Sequence, residues 1–416
     1  MSGVAVIVNI LLRLLCSTLI VTSCVSIAAA QDVAKEPPAV GKAAEVESKP
    51  ISEDEANQFV DKFSGLILRG DREGANKLID WDGVLALATQ TPESPKLASV
   101  RKAFSTASVQ QLKSAAGITA KIYDELKRGG SYKCVRIEIN GPEPFAMYRF
   151  NLAQQRGVNY HRIYLKRNAD GSIVASDVFV LLTAERLSET LRRSWVPFAQ
   201  SELRSGLERL LLPRDPYVDS LVMLGKFAQL AASQKSVEAL ELYRKLPPAA
   251  QRDKSALVLR VVAASTVSEE EFLEAVKDLR KYLPDDVAAD FILVGSYRIR
   301  RKFAEALECL DRTSKRMGGD SMLLVSRAQI LLEMKRVPEA REAIEDAILG
   351  EPDLSDAYSI GIDVSLADQN FDETVKYLTI LESQFGQKWK DLRAVPGFAE
   401  FVKTPQYEKW AETQKK

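Results

Sequence analysis

A single histidine in 416 residues rules out the two-histidine HExxH zinc motif and leaves one candidate base, His161, for any Ser-His or Cys-His pair. It stands in VNYHRIYLK, a tyrosine-rich stretch with the alternation of a strand, where a hydrogen-bonded structural imidazole fits better than a catalytic one. The chain has no CxxC, no phosphate-cradling GxxxxGK and no GxSxG. The loop from Lys166 to Gly171 has some of the oxygen spacing of a calcium loop but puts a cation at the first ligand position, so it reads as a turn. The carboxylate runs Glu53-Asp54-Glu55 and Glu269-Glu270-Glu271 fall in first helical turns, where negative charge complements the helix dipole. Nothing in the spacing of Asp, Glu and Tyr singles out an acid–base pair. No catalytic residue, metal site or cofactor follows, and the expectation is a protein that is not an enzyme.

Charge excludes another class. Lys plus Arg and Asp plus Glu each number 57, so there is no net positive field to wrap a nucleic acid. The basic run Arg298 to Lys302 reads as a solvated hairpin edge, with contact to an acidic partner as the alternative. With 46% apolar and 27% charged residues the chain is globular in composition, and its length calls for more than one domain.

Residues 1–30 read as a secretory signal: a start carrying Arg13, an apolar run, then Ala28-Ala29-Ala30 for a peptidase that needs small side chains. Export to the periplasm or cell envelope is expected, with secretion if cleavage follows Ala30. Two other readings stay open. Val21-Thr22-Ser23-Cys24 resembles a lipobox, which would leave a lipid on Cys24 as a membrane tether, and Val4 to Ala30 is apolar enough for an uncleaved anchor. Cys134 and Cys309 lie in different expected domains and read as buried free thiols. Residues 31–50, with three prolines and no aromatic residue, read as a disordered linker.

From Ile51 the pattern predicts an α+β domain over 51–212. Ser52 with Glu55 makes a capping box before Phe59, Phe63, Leu66 and Leu68 at helical spacing. Further helices are expected over 73–87 and 96–115. After Gly129-Gly130 the period becomes two: YKCVRIEI places Val135, Ile137 and Ile139 on one face and Cys134, Arg136 and Glu138 on the other. FAMYRFNL, VNYHRIYLK and SIVASDVFVLL continue the style, and Asp170-Gly171 marks a hairpin with positive φ tolerated at both residues. The expectation is a four-stranded antiparallel sheet, with a closing helix from Thr183. By element order this domain resembles the nuclear transport factor 2-like and cystatin-like folds.

Residues 213–386 carry a repeat. Ala306, Ala340 and Thr374 are small and stand 34 residues apart. Phe303, Val337 and Phe371 precede them in phase, Leu310, Ile344 and Leu378 follow, and Gly318, Pro352 and Gly386 terminate. Ala239 and Ala275 begin similar helices upstream, for about five helical hairpins. A small residue held in fixed phase marks close approach of backbones, which a Leu would force apart. The segment 387–416, apolar through Leu392, Val395, Phe398, Phe401 and Trp410, reads as capping helices over the last repeat.

This period and phase resemble the tetratricopeptide repeat family. Residues 321–354 match best, with Ala328, Leu331, Ala340, Ile344, Ala347 and Pro352; the repeat at 287 has Val294 and Thr313, and that at 355 has Ser365, in place of the usual residues. The resemblance implies an all-α superhelix after the α+β domain, packed through Ala306, Ala340, Ala347 and Thr374. It also implies a concave face that binds a partner protein or peptide, lined by Phe291 and Arg298, by Met322, Val325, Gln329, Leu332 and Glu333, and by Asp356, Ser359, Asp363 and Leu366. That lining lacks the Lys and Asn pattern of repeats that clamp a terminal carboxylate. The alternative function is a small molecule or lipid held inside the α+β domain, lined by Tyr132, Tyr148, Phe150, Tyr160 and Tyr164.

Overall fold

A computed structural model of the chain describes residues 49–90, 94–114, 117–153, 157–183, 185–203, 220–389 and 391–414. The expected signal and lipobox, and the linker up to Ser48, lie outside the described residues, as does the expected boundary at 212–213. Among the described residues no helix is long and apolar enough to cross a membrane. The chain forms two compact units that divide between Pro284 and Asp285.

The first unit opens with α1 (Glu53–Arg69), entered through a reciprocal cap: Ser52 N donates to Glu55 Oε2 at 2.8 Å, and Glu55 N donates to Ser52 Oγ at 3.3 Å. Arg167 forks onto the Glu55 carboxylate at 2.7 Å and donates to the carbonyls of Lys49 and Pro50. The last two residues of the expected linker are thus fixed to the sheet.

The expected helix over 73–87 is two, α2 (Arg72–Lys77) and α3 (Trp81–Ala88). Between them Ile79 bridges to Ala175, with Asp80 N donating to Ala175 O and Ala175 N to Leu78 O. Asp80 then caps α3. A pair of long-range backbone bonds overrides local helical periodicity here. Next come α4 (Pro95–Lys113) and α5 (Ile118–Lys127).

The sheet is an antiparallel meander in the order β1 (Ser131–Glu138), β2 (Phe145–Asn151), β3 (Val158–Arg167), β4 (Ile173–Val180), β5 (Glu185–Arg186). It has five strands where four are expected. The fifth is a two-residue pairing of Arg186 with Phe179 and Glu185 with Val180, so the closing helix α6 (Leu187–Glu202) starts at Leu187 and not at Thr183. At the β3–β4 hairpin only Gly171 takes positive φ, at 86°, while Asp170 uses its carboxylate to accept from Ser172 N at 2.9 Å.

A bulge at Val135 corrects the expected faces of β1. Cys134 pairs with Tyr148 but Arg136 pairs with Met147, one residue along on the opposite face. Tyr132, Cys134, Ile137 and Ile139 therefore join the core, and Lys133, Arg136 and Glu138 stand on the other face. In that core Tyr132 stacks on Tyr148, which meets Phe63 edge-on, and Phe104 packs edge-on to the fully buried Trp195.

The remainder of the first unit is helical: α7 (Leu221–Ala232), α8 (Ser236–Arg244), the short α9 (Pro248–Gln251), α10 (Lys254–Ala264) and α11 (Glu269–Tyr282). In α10 every residue from Ser255 to Ala264 is buried, the mark of a helix enclosed on all sides. Its one buried charge, Arg260, reaches Glu274 at 3.0 Å, pairs with Asp278 and lies over the Tyr243 ring. Arg193 of α6 pairs with Glu185 and donates to Ser255 at 2.9 Å, which ties the sheet to these helices.

The second unit holds three helical hairpins: α12 (Val287–Ile299) with α13 (Phe303–Met317), α14 (Ser321–Glu333) with α15 (Val337–Gly350), and α16 (Ser355–Ala367) with α17 (Phe371–Phe385). First helices begin at 287, 321 and 355 and second helices at 303, 337 and 371, each 34 residues after the last. The turns repeat too. Arg301, Lys335 and Gln369 take φ of 57°, 62° and 54°, and the next N–H closes back five residues, as from Arg336 to Leu331 O. Each hairpin packs internally, and α13 meets α14 as α15 meets α16.

Ala306, Ala340, Ala347 and Thr374 are fully buried, as are Ala239 and Ala275 in the first unit. Thr374 keeps its hydroxyl satisfied on Ser365 Oγ at 2.8 Å. At Gly361 a Cβ would meet the Tyr377 ring at 2.8 Å, so α16 and α17 touch almost backbone to ring. Ala340→Leu is expected to cost about 1–3 kcal/mol by overpacking, read as a lowered urea midpoint. Glu342→Leu, on the exposed side of the same helix, should stay within about 0.5 kcal/mol of wild type. Equal effects would show that Ala340 is not a point of close approach.

Beyond α17 the expected capping helices are three 3-10 turns, Leu392–Ala394, Pro396–Phe398 and Phe401–Lys403, and one helix, α18 (Pro405–Thr413). Leu392, Phe401, Tyr407 and Trp410 form a cluster with Tyr358, Ile362, Tyr377, Leu378 and Leu381 of the last hairpin.

Candidate interaction surface

The first helices of the second unit carry the candidate residues. Arg298 near the end of α12 and Glu333 at the end of α14 form an ion pair at 2.7 Å, and α14 in turn touches α16. These contacts link the three first helices in series.

On these helices Phe291, Met322, Gln329, Leu332, Asp356 and Ser359 are half-buried. Val325 is fully buried and offers no surface, a correction to its place in the expected lining: α14 reads SMLLVSRAQILLE, and an apolar side chain on so apolar a helix is drawn into the packing. Leu366 packs against the C-terminal cluster. Arg298 and Glu333 largely neutralise each other, and Ser359 donates to the Ser355 carbonyl at 3.0 Å. Asp363 differs from the rest. It is open to water, yet surrounding protein pushes its carboxyl above the ordinary carboxylate range.

Other ionisable groups of the second unit hold structure. Asp290 is fully buried in α12 and receives Arg312 Nε and Arg316 Nη1, both at 3.0 Å, which locks α12 to α13. Cys309 is buried in the second unit and Cys134 half-buried in the first, both as free thiols.

In the first unit the residues of the alternative function divide between the two faces of the sheet. Tyr132, Tyr148 and Phe150 are buried together in the core, where Phe150 meets Tyr132 edge-on, while Tyr160 is buried on the opposite face, where Tyr164 lies under Arg186. His161 is buried between Tyr132 Oη at 3.1 Å from Nδ1 and Asn159 Nδ2 at 3.2 Å from Nε2. The Asn159 carbonyl oxygen accepts from Tyr160 N and Leu182 N, so its amide nitrogen faces the ring. That makes Nε2 the acceptor and places the proton on Nδ1. Burial pushes the imidazole down to about 3. Among the described residues no group of three or more His, Cys, Asp or Glu side chains could hold a metal ion.

Sequence reasoning treated Arg298 and Glu333 as separate ligand contacts and had no signal for their pairing, which needs the helix-to-helix register. Compared with models of known protein families, with curated proteins and with solved structures, the chain gives no match.

Proposed function

We propose that this chain is an exported, non-enzymatic interaction protein that binds a partner protein or peptide on the first-helix face of tetratricopeptide-like repeats in its second unit. One observation carries the reading: the helices of three hairpins start 34 residues apart, and their first helices, linked in series, leave polar and apolar side chains half-open. A stack of this kind has no internal use for that face. The leader-like residues 1–30 support export, and the balance of 57 basic and 57 acidic residues argues against a nucleic-acid partner.

The test is a photocrosslinking amino acid placed in the full chain, in its source cells, at Gln329 or Ser359, against the same group at Glu345 on the exposed side of a second helix. A discrete adduct from Gln329 and Ser359, absent from Glu345, is expected. Adducts from Glu345 alone, from all three equally, or from none would remove the reading.

A further inference from the structure

The face of the sheet turned away from the aromatic core carries an arrangement that the binding surface of the second unit does not use. Strand register places Arg136, Met147 and Arg162 in one cross-strand row, with Phe145 and Tyr164 in the next. The Arg136 guanidinium carbon lies 5.7 Å and that of Arg162 5.2 Å from the centroid of the one Phe145 ring. The bulge at Val135 is what brings Arg136 onto this face. Both side chains are half-buried.

The neighbouring charges are already engaged. Arg186 lies 4.0 Å over Tyr164 and is paired with Glu143, whose carboxyl this contact lowers. Asp177 accepts from Ser188 Oγ and from Val178 N at 2.8 Å, and Glu138 accepts from Asn140 N at 3.3 Å. Among the described residues no carboxylate pairs with Arg136 or Arg162, and the buried Nε of Arg136 has no hydrogen-bond partner. Sharing one ring, the two cations stand at most about 11 Å apart. A buried unsatisfied donor beside two half-desolvated like charges is costly unless an acceptor arrives.

We infer that Arg136 and Arg162, held on Phe145, form a binding site for a dianionic oxyanion of the phosphate monoester class. Two guanidiniums present fork-shaped donors that match phosphate oxygens, and a phosphate monoester carries about −1.5 to −2 charge at neutral pH, which cancels the pair. A monocarboxylate neutralises only half of it.

The full chain titrated with inorganic phosphate, phenyl phosphate or benzoate tests this, with the Arg Nε–H signals followed by NMR. Saturable binding of both phosphates is expected, at least about tenfold tighter than benzoate. Arg136→Gln and Arg162→Gln should each weaken it at least about tenfold, and Arg162→Lys less. Arg72→Gln, at an exposed site on α2, should leave it unchanged. An unmoved His161 signal confirms that each variant is folded. No saturation with either phosphate, binding indifferent to both Gln variants, or benzoate binding as tightly as phenyl phosphate would overturn the assignment.

Discussion

Labelled with carbon-13 histidine, the chain should give one imidazole signal that does not titrate between pH 8 and about 4.5, because His161 is its single histidine and burial holds it neutral down to about 3. Geometry adds to burial. A second proton on Nε2 would face the Asn159 amide, which is itself a donor. The folded state thus refuses a proton that the unfolded chain takes up near pH 6.5. Stability from this residue is complete above that value and is lost as pH falls toward 3. At pH 4.5 the loss is about 2–3 kcal/mol. His161→Gln, though less stable at pH 7, should lack this part of the acid dependence when urea midpoints are compared at pH 7 and 4.5. Glu55 acts lower on the scale. Its hydrogen bonds from Arg167 hold its carboxyl at about 2, so its contribution fades only between about 4.5 and 2. A His161 midpoint near 6.5 would contradict the buried, neutral assignment.

What was legible in the sequence divides along physical lines. The 34-residue phase was readable because Ala306, Ala340 and Thr374 stand where backbones approach, and no larger side chain fits there. The cap at Ser52 was readable because both halves of the bond lie within one helical turn. The strands announced themselves by alternation, but the faces of β1 did not, since a bulge adds one residue without changing composition. That single residue hid the Arg136–Arg162 pairing. The break between α2 and α3 depends on Ala175, about a hundred residues away, and no local pattern encodes it. Val325 was unreadable for the reverse reason: α14 is apolar around much of its circumference, so periodicity does not tell the inside from the outside.

The domain reading shows the same limit. The sequence pattern turns from alternating to helical after the strands, but compactness follows contact and not local pattern. Arg193, Glu185 and Ser255 join the sheet to α10, so helices 221–282 belong to the same compact unit as the sheet. The turns at Arg301, Lys335 and Gln369 carry no glycine despite their left-handed φ. A search for glycine would miss them, whereas their spacing gives them away.

Phe401→Ala should cost about 3–5 kcal/mol, the range for removing a fully buried aromatic ring. The ring lies 5.8 Å from Phe371, 6.1 Å from Phe398 and 5.5 Å from Tyr407, so it joins the last hairpin to the segment that covers it. Removing it opens a cavity between the last hairpin and the segment that covers it. Hydrogen exchange across residues 355–385 should accelerate by about a hundredfold or more if this hairpin opens by itself, because each 1.4 kcal/mol is tenfold. Protection in the strands of the first unit should not change. Leu349→Ala provides the contrast: that side chain is 83% exposed, and its loss should stay within about 0.5 kcal/mol. If Phe401→Ala left exchange in 355–385 unchanged, the last hairpin would not depend on its cap, and the C-terminal segment would be free to serve as a surface in its own right.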